Sequence, residues 1–197
     1  RLDVAAGTIM RAAGEWYQPV GHSGLFIASY AGAERRQFNA FEGGQYRAEY
    51  RQAVHHAGVD AGFTPGADVE LRAGYALEHI DGRTVIGNAV LPVMDGSQRY
   101  FGLQATYDGQ TGSTIPERGV FARARLRRLT HAAAATSTTA PRVEPNDMLS
   151  GDADASVFLP VSRMGRMFVR AAGGSSFGST AMVNAFALGG QFALGAL

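Results

Sequence analysis

Gly174, Ser176 and Gly178, within GGSSFG at residues 173–178, spell G-x-S-x-G, the sequence of a nucleophile elbow. An elbow works because a sharp turn between a buried strand and a helix lifts the serine hydroxyl towards a histidine that an acid orients. The residues around Ser176 offer neither neighbour: the series is strand-like throughout, and the segment after Ser176 is broken by glycine. With 26 Gly in 197 residues the spelling arises readily by composition. A soluble serine hydrolase built on Ser176 therefore stands as an alternative of another class, to be tested by its need for an α/β pattern.

The other chemistry-bearing residues point away from catalysis. The five histidines are His22, His55, His56, His79 and His131, with no HExxH or His-x-His spacing. His55 and His56 are adjacent, so on a strand they face opposite ways and cannot hold one metal together. The absence of Cys removes disulfides, thiolate chemistry and Cys-type zinc sites. We expect no catalytic, metal-binding or cofactor-binding residue in the chain. Asp152 and Asp154 share a strand face, as do Glu70 and Glu78, which is the arrangement a general acid and base would need. Arginines on neighbouring polar faces make a salt-bridge lattice the simpler expectation. All 18 basic residues are Arg against 17 acidic ones, and a net charge of +1 gives no general attraction to nucleic acid.

These side chains must be positioned by strands. In GVFARARLRR, Val120, Ala122, Ala124 and Leu126 take one face while Phe121, Arg123, Arg125 and Arg127 take the other. The same alternation runs through Asp152 to Val161, Asp68 to Glu78 and Phe101 to Asp108. Less regular segments bring the expectation to about eight strands of roughly 9–12 residues, with a phase slip near Gln52. Short turns at residues 20–24, 64–68, 113–119 and 162–166 alternate with connections at 42–44, 81–97 and 131–151, the last read as a disordered loop. No apolar run is long enough for a spanning helix. Short turns on one rim and longer loops on the other describe an outer-membrane barrel; a soluble barrel or sandwich produces the same alternation. Abundant Ala and aromatics at segment ends (Trp16, Tyr17, Tyr75, Tyr100, Phe101, Tyr107) suit lipid better than a close-packed core. On that reading Arg123, Arg125, Arg127, Asp152 and Asp154 line a wet lumen.

The chain closes on AFALGGQFALGAL, apolar and rich in Gly without a strand period, and opens on RLDV without an initiator Met, so we read it as a piece of a larger protein. Phe186, Leu188, Gly189, Gly190 and Leu194 resemble the lead-in to a loop that folds into the lumen in the bacterial surface antigen superfamily of outer-membrane barrels. That superfamily holds the barrel-assembly and two-partner-secretion translocators and the C-terminal barrel of patatin-like phospholipases. Residues 107–119 are similar to the family's strand end and periplasmic turn, residues 156–174 to the strand pair before the loop, and residues 15–26 to an early strand and turn of the patatin-linked barrels. Gly195 stands where translocators carry Arg, which leans towards the patatin-linked branch. The resemblance implies an all-β, antiparallel up-and-down transmembrane barrel over residues 1–197, incomplete at about eight of sixteen strands. It also implies residence in the bacterial outer membrane, contact with its lipid, and an attached N-terminal domain carrying the phospholipase Ser–Asp dyad. The expected task is to anchor that passenger and, by resemblance alone, to pass polypeptide; the alternative is a translocator or assembly barrel, and a homo-oligomer is compatible with either.

Overall fold

The computed structural model describes residues 2–6, 9–42, 45–87, 93–111, 116–131, 134–136, 148–162 and 165–177. Among them every regular element is a strand: β1 (Leu2–Ala5), β2 (Ile9–Val20), β3 (Leu25–Glu42), β4 (Gln45–Phe63), β5 (Val69–Gly87), β6 (Val93–Asp108), β7 (Gly119–His131), β8 (Ala134–Thr136), β9 (Met148–Pro160) and β10 (Arg166–Phe177). All belong to one antiparallel sheet in the order β1-β2-β3-β4-β5-β6-β7-β9-β10, with β8 beside β6. Each long strand therefore pairs with its neighbour in sequence, the up-and-down order that the alternating segments predict. Among the described residues β1 and β10 form no ladder with each other.

The short turns reverse the chain with local bonds. Gly21 and Gly24 take φ of 65° and 77°, a left-handed conformation that lets residues 21–24 turn between β2 and β3. The Gly24 carbonyl then accepts from the Thr64 backbone N–H at 2.9 Å, tying this turn to the next. Between β6 and β7 the Gly109 N–H donates to Val120 O at 2.9 Å, and between β9 and β10 the Val161 N–H donates to Gly165 O at 3.0 Å.

At the opposite end the structure departs from expectation. The residues read as a connection at 81–97 are largely strand: β5 runs to Gly87 and β6 begins at Val93. In the stretch read as a disordered loop, Ala134–Thr136 pair with Val93–Asp95, and β9 begins at Met148. β3, β4 and β5 thereby reach 18, 19 and 19 residues instead of a dozen. β4 holds one register against β3 from Ala48 to Phe63, while against β5 its register shifts between Glu49 and Tyr50, close to the slip expected near Gln52. The ladder registers skip Arg47 in β4, Val85 in β5 and Thr130 in β7. These irregularities lie near the far ends of the β3–β4, β4–β5 and β6–β7 ladders, away from the short turns.

Candidate functional site

The two faces of the sheet differ in burial in the reverse of the soluble pattern. One face, called outward here, carries Val69, Leu71, Ala73, Tyr75 and Leu77 of β5. Its ladder partners include Tyr107, Ala105, Leu103 and Phe101 of β6 and Phe63, Ala61, Val59 and Ala57 of β4. Its large side chains are exposed, with Leu103 at 56%, Phe101 at 57% and Trp16 at 58%. The other, inward face holds the ionised residues and the fully buried side chains among the described residues, including Phe26, Ala28 and Ala76. A single sheet buries one face only by curling towards it or being covered there. Arg72 of β5 reaches Glu15 of β2 at 3.3 Å, passing over β3 and β4, so the sheet curls towards its ionised face.

Glycine makes that curl possible. Opposite Phe26 stands Gly62 and opposite Tyr30 stands Gly58. A methyl added at either glycine would overlap the ring that lies across it. Aromatic rings thus lie flat on the wall where a pair of full side chains would splay the strands apart.

The ionised face is organised around two groups. In the first, the guanidinium of Arg72 meets Glu70 at 2.6 Å, Glu15 at 3.3 Å and Asp60 at 3.7 Å, above the Phe26 ring at 5.2 Å. Its side chain is 16% exposed, so three carboxylates around one cation compensate a partly desolvated charge. In the second group, Arg123 donates to Asp154 at 2.8 Å and Arg125 meets Asp152 at 2.7 Å. Arg127 lies 3.5 Å from Asp152, and Arg170 of β10 lies 4.0 Å from Asp154. Asp152 and Asp154 are thereby bound into a cross-strand ion lattice and are not free as an acid and base pair. Glu70 and Glu78 do not meet either: Glu78 accepts from Gln98 Nε2 and from the Tyr100 hydroxyl at 3.1 Å, both neutral donors. Between the groups lies a polar hollow of about 150 Å³, lined by Tyr30, Asp60, Arg72, Tyr100, Arg125 and Arg127.

Further along the strands the polarity reverses. On the outward face the first charged or imidazole side chain beyond the apolar rows is Arg35 in β3, His55 in β4, His79 in β5, Arg99 in β6 and Arg128 in β7. Beyond them stand Asp81, Arg83 and Asp95. At this same height the inward face turns apolar, with Tyr50 and Ala48 buried together and Leu129 buried against Met148 and Tyr100. In the ladder registers the boundary slips by about six residues over four strand spacings, roughly 20 Å against roughly 19 Å, and so crosses the strands at about 45°.

Ser176 lies inside β10, paired with Ser150 in the β9–β10 ladder and not at a turn, and the residues that an elbow's helix would occupy lie outside the described ones. His55 and His56 do face opposite ways. His56 lies on the inward face beside Tyr30, with ring centroids 6.3 Å apart, and His55 pairs across the ladder with His79. Among the described residues no group of three or more His, Asp or Glu is placed to hold a metal ion. Phe186, Leu188, Gly189, Gly190 and Leu194 lie outside the described residues. Sequence reasoning missed the Arg72 cluster, since nothing in the Asp68 to Glu78 segment announces that Glu15, some fifty residues earlier, meets it. The chain matches no family model, no curated protein and no solved structure.

Proposed function

We propose that the chain is a section of a transmembrane β-barrel of the bacterial outer membrane, which anchors an attached N-terminal passenger there. The observation that carries this reading is the reversal of polarity along single strands. In one half, β4 to β7 present apolar residues to the outside and ions to the inside; in the other half they do the opposite. A protein surrounded by one solvent has no reason to reverse its faces in mid-strand. A barrel passing from hydrocarbon into water does, because the solvent on its outside changes along each strand.

Two magnitudes agree. The apolar rows span seven to nine residues on β4 to β7, approaching the roughly 9–11 residues with which a tilted strand crosses a bilayer. The oblique boundary matches the tilt of about 45° at which strands cross a bilayer. Among the described residues β1 and β10 each pair on one side only, and a barrel in hydrocarbon needs partners for both edges, since unpaired backbone groups there cost several kcal/mol each. The passenger, its patatin-like phospholipase character and any passage of polypeptide rest on the resemblance of residues 15–26, 107–119, 156–174 and 185–197.

Trp16 is the only tryptophan in the chain and projects from the apolar band. In vesicles containing phosphatidylcholine brominated on its acyl chains, Trp16 fluorescence is expected to be strongly quenched. A protein that stays dispersed without detergent and shows unquenched Trp16 in such vesicles refutes the membrane reading. The passenger is tested separately, by whether the same reading frame encodes a patatin-type G-x-S-x-G followed by a helix upstream.

A further inference from the structure

From the side chains at the edge of the apolar band we infer that the barrel carries a lipid-headgroup site there: a cationic belt that binds the phosphate of anionic lipid in the leaflet on the long-strand side. The inference rests on the lipid-facing reading of the outward face. Five successive strands, β3 to β7, each place one exposed Arg or His at the point where the apolar rows stop, namely Arg35, His55, His79, Arg99 and Arg128. The chain has nearly as many acidic as basic residues, yet among the described residues no carboxylate occupies this level on any of the five strands. The nearest outward carboxylate, Asp81, stands two residues beyond His79 and faces Asp95 across the ladder. The other rim is mixed: Asp68, Asp108, Glu117, Arg118 and Arg166 gather near the short turns, and Arg166 is within 3.6 Å of Glu117. The excess of positive charge is therefore confined to one edge.

Charge complementarity selects the occupant. Arginine presents a planar donor fork that fits two phosphate oxygens at once, and imidazoles add donors between such forks. His55 and His79 are ladder partners, and His79 Nδ1 lies 3.3 Å from Ser97 Oγ, so donors and acceptors run from strand to strand along the belt. Acyl chains beneath that phosphate would lie on Leu77, Phe101 and Leu126, directly below the belt in β5, β6 and β7. A free phosphate would gain the charge contact without the apolar one, which commits the site to a lipid.

The test uses the protein in phosphatidylcholine vesicles doped with spin-labelled lipids, comparing the motionally restricted fraction of labelled phosphatidylglycerol with that of labelled phosphatidylcholine. At low salt the native protein is expected to prefer phosphatidylglycerol by about threefold or more, and the preference is expected to shrink as salt is added. The triple variant R35Q/R99Q/R128Q is expected to bring the preference to near one, and the R35K/R99K/R128K variant to restore most of it. Both variants are checked for an unchanged β-type circular dichroism spectrum. If both labels are restricted equally by the native protein, the belt has no headgroup preference and the inference falls while the barrel reading stands. If neither label is restricted, the outward face does not meet lipid and both fall. A preference that survives in the glutamine variant places the selectivity elsewhere and also overturns the assignment.

Discussion

Asp154 shows how the inward face is held. It compensates Arg123 at 2.8 Å and Arg170 at 4.0 Å while itself only 12% exposed. Removing its charge leaves two arginines facing each other on a crowded wall. D154N is expected to lower unfolding stability by about 1–3 kcal/mol, and adding R123Q to recover part of that loss, as a double-mutant cycle in urea would measure. The glycines opposite aromatic rings make a second case. Phe26 is 1% exposed and has nowhere to go, so Gly62→Ala is expected to cost about 1–3 kcal/mol by overpacking. Gly173→Ala meets nothing within 4 Å and is expected to be neutral or slightly stabilising, by less than about 1 kcal/mol, in the same assay.

At the scale of the strand, one face of one ladder carries two polarities. β7 carries Val120, Ala122, Ala124 and Leu126 outward, then Arg128 and Thr130 on the same side, while Leu129 beside them is buried inward. A substitution therefore has a cost that depends on its height along the strand. Ala124→Arg, in the middle of the apolar rows, is expected to cost about 2–4 kcal/mol when the protein is unfolded from vesicles. Thr130→Arg, beyond the boundary, is expected to change stability by no more than about 0.5 kcal/mol. Equal, small effects at both positions would mean that water wets the whole outward face.

Across the whole molecule, curl, charge and exposure are one arrangement. Small residues on the inward face let nine strands bend towards it, and bending crowds the ionised side chains until they pair across several strands, as Glu15 and Arg72 do. The same bend spreads the outward side chains, so Leu103 and Phe101 remain more than half exposed. Such a surface is stable in hydrocarbon and prone to association in water. Extracted into detergent below its critical micelle concentration, the protein is expected to aggregate, and light scattering on dilution is the measurement that checks it.

Much of this order is already present in the amino-acid sequence. Alternation with period two follows from the geometry of an extended chain, so Val120 to Leu126 and Arg123 to Arg127 could be assigned to opposite faces without coordinates, and Gly and Pro marked the short turns. Strand ends on the far rim could not be read in this way. Around Asp81 and Gly87 the apolar set changes face, and a pattern search that assumes one constant apolar face takes that change for a loop or a slip. Only the tertiary structure decided which charges meet, because cross-strand partners depend on ladder register, and the meeting of Glu15 with Arg72 depends on curvature summed over several strands. Sequence patterning is a local property of one strand; register and curl belong to the sheet, and they placed the ion lattice, the polarity boundary and the cationic belt.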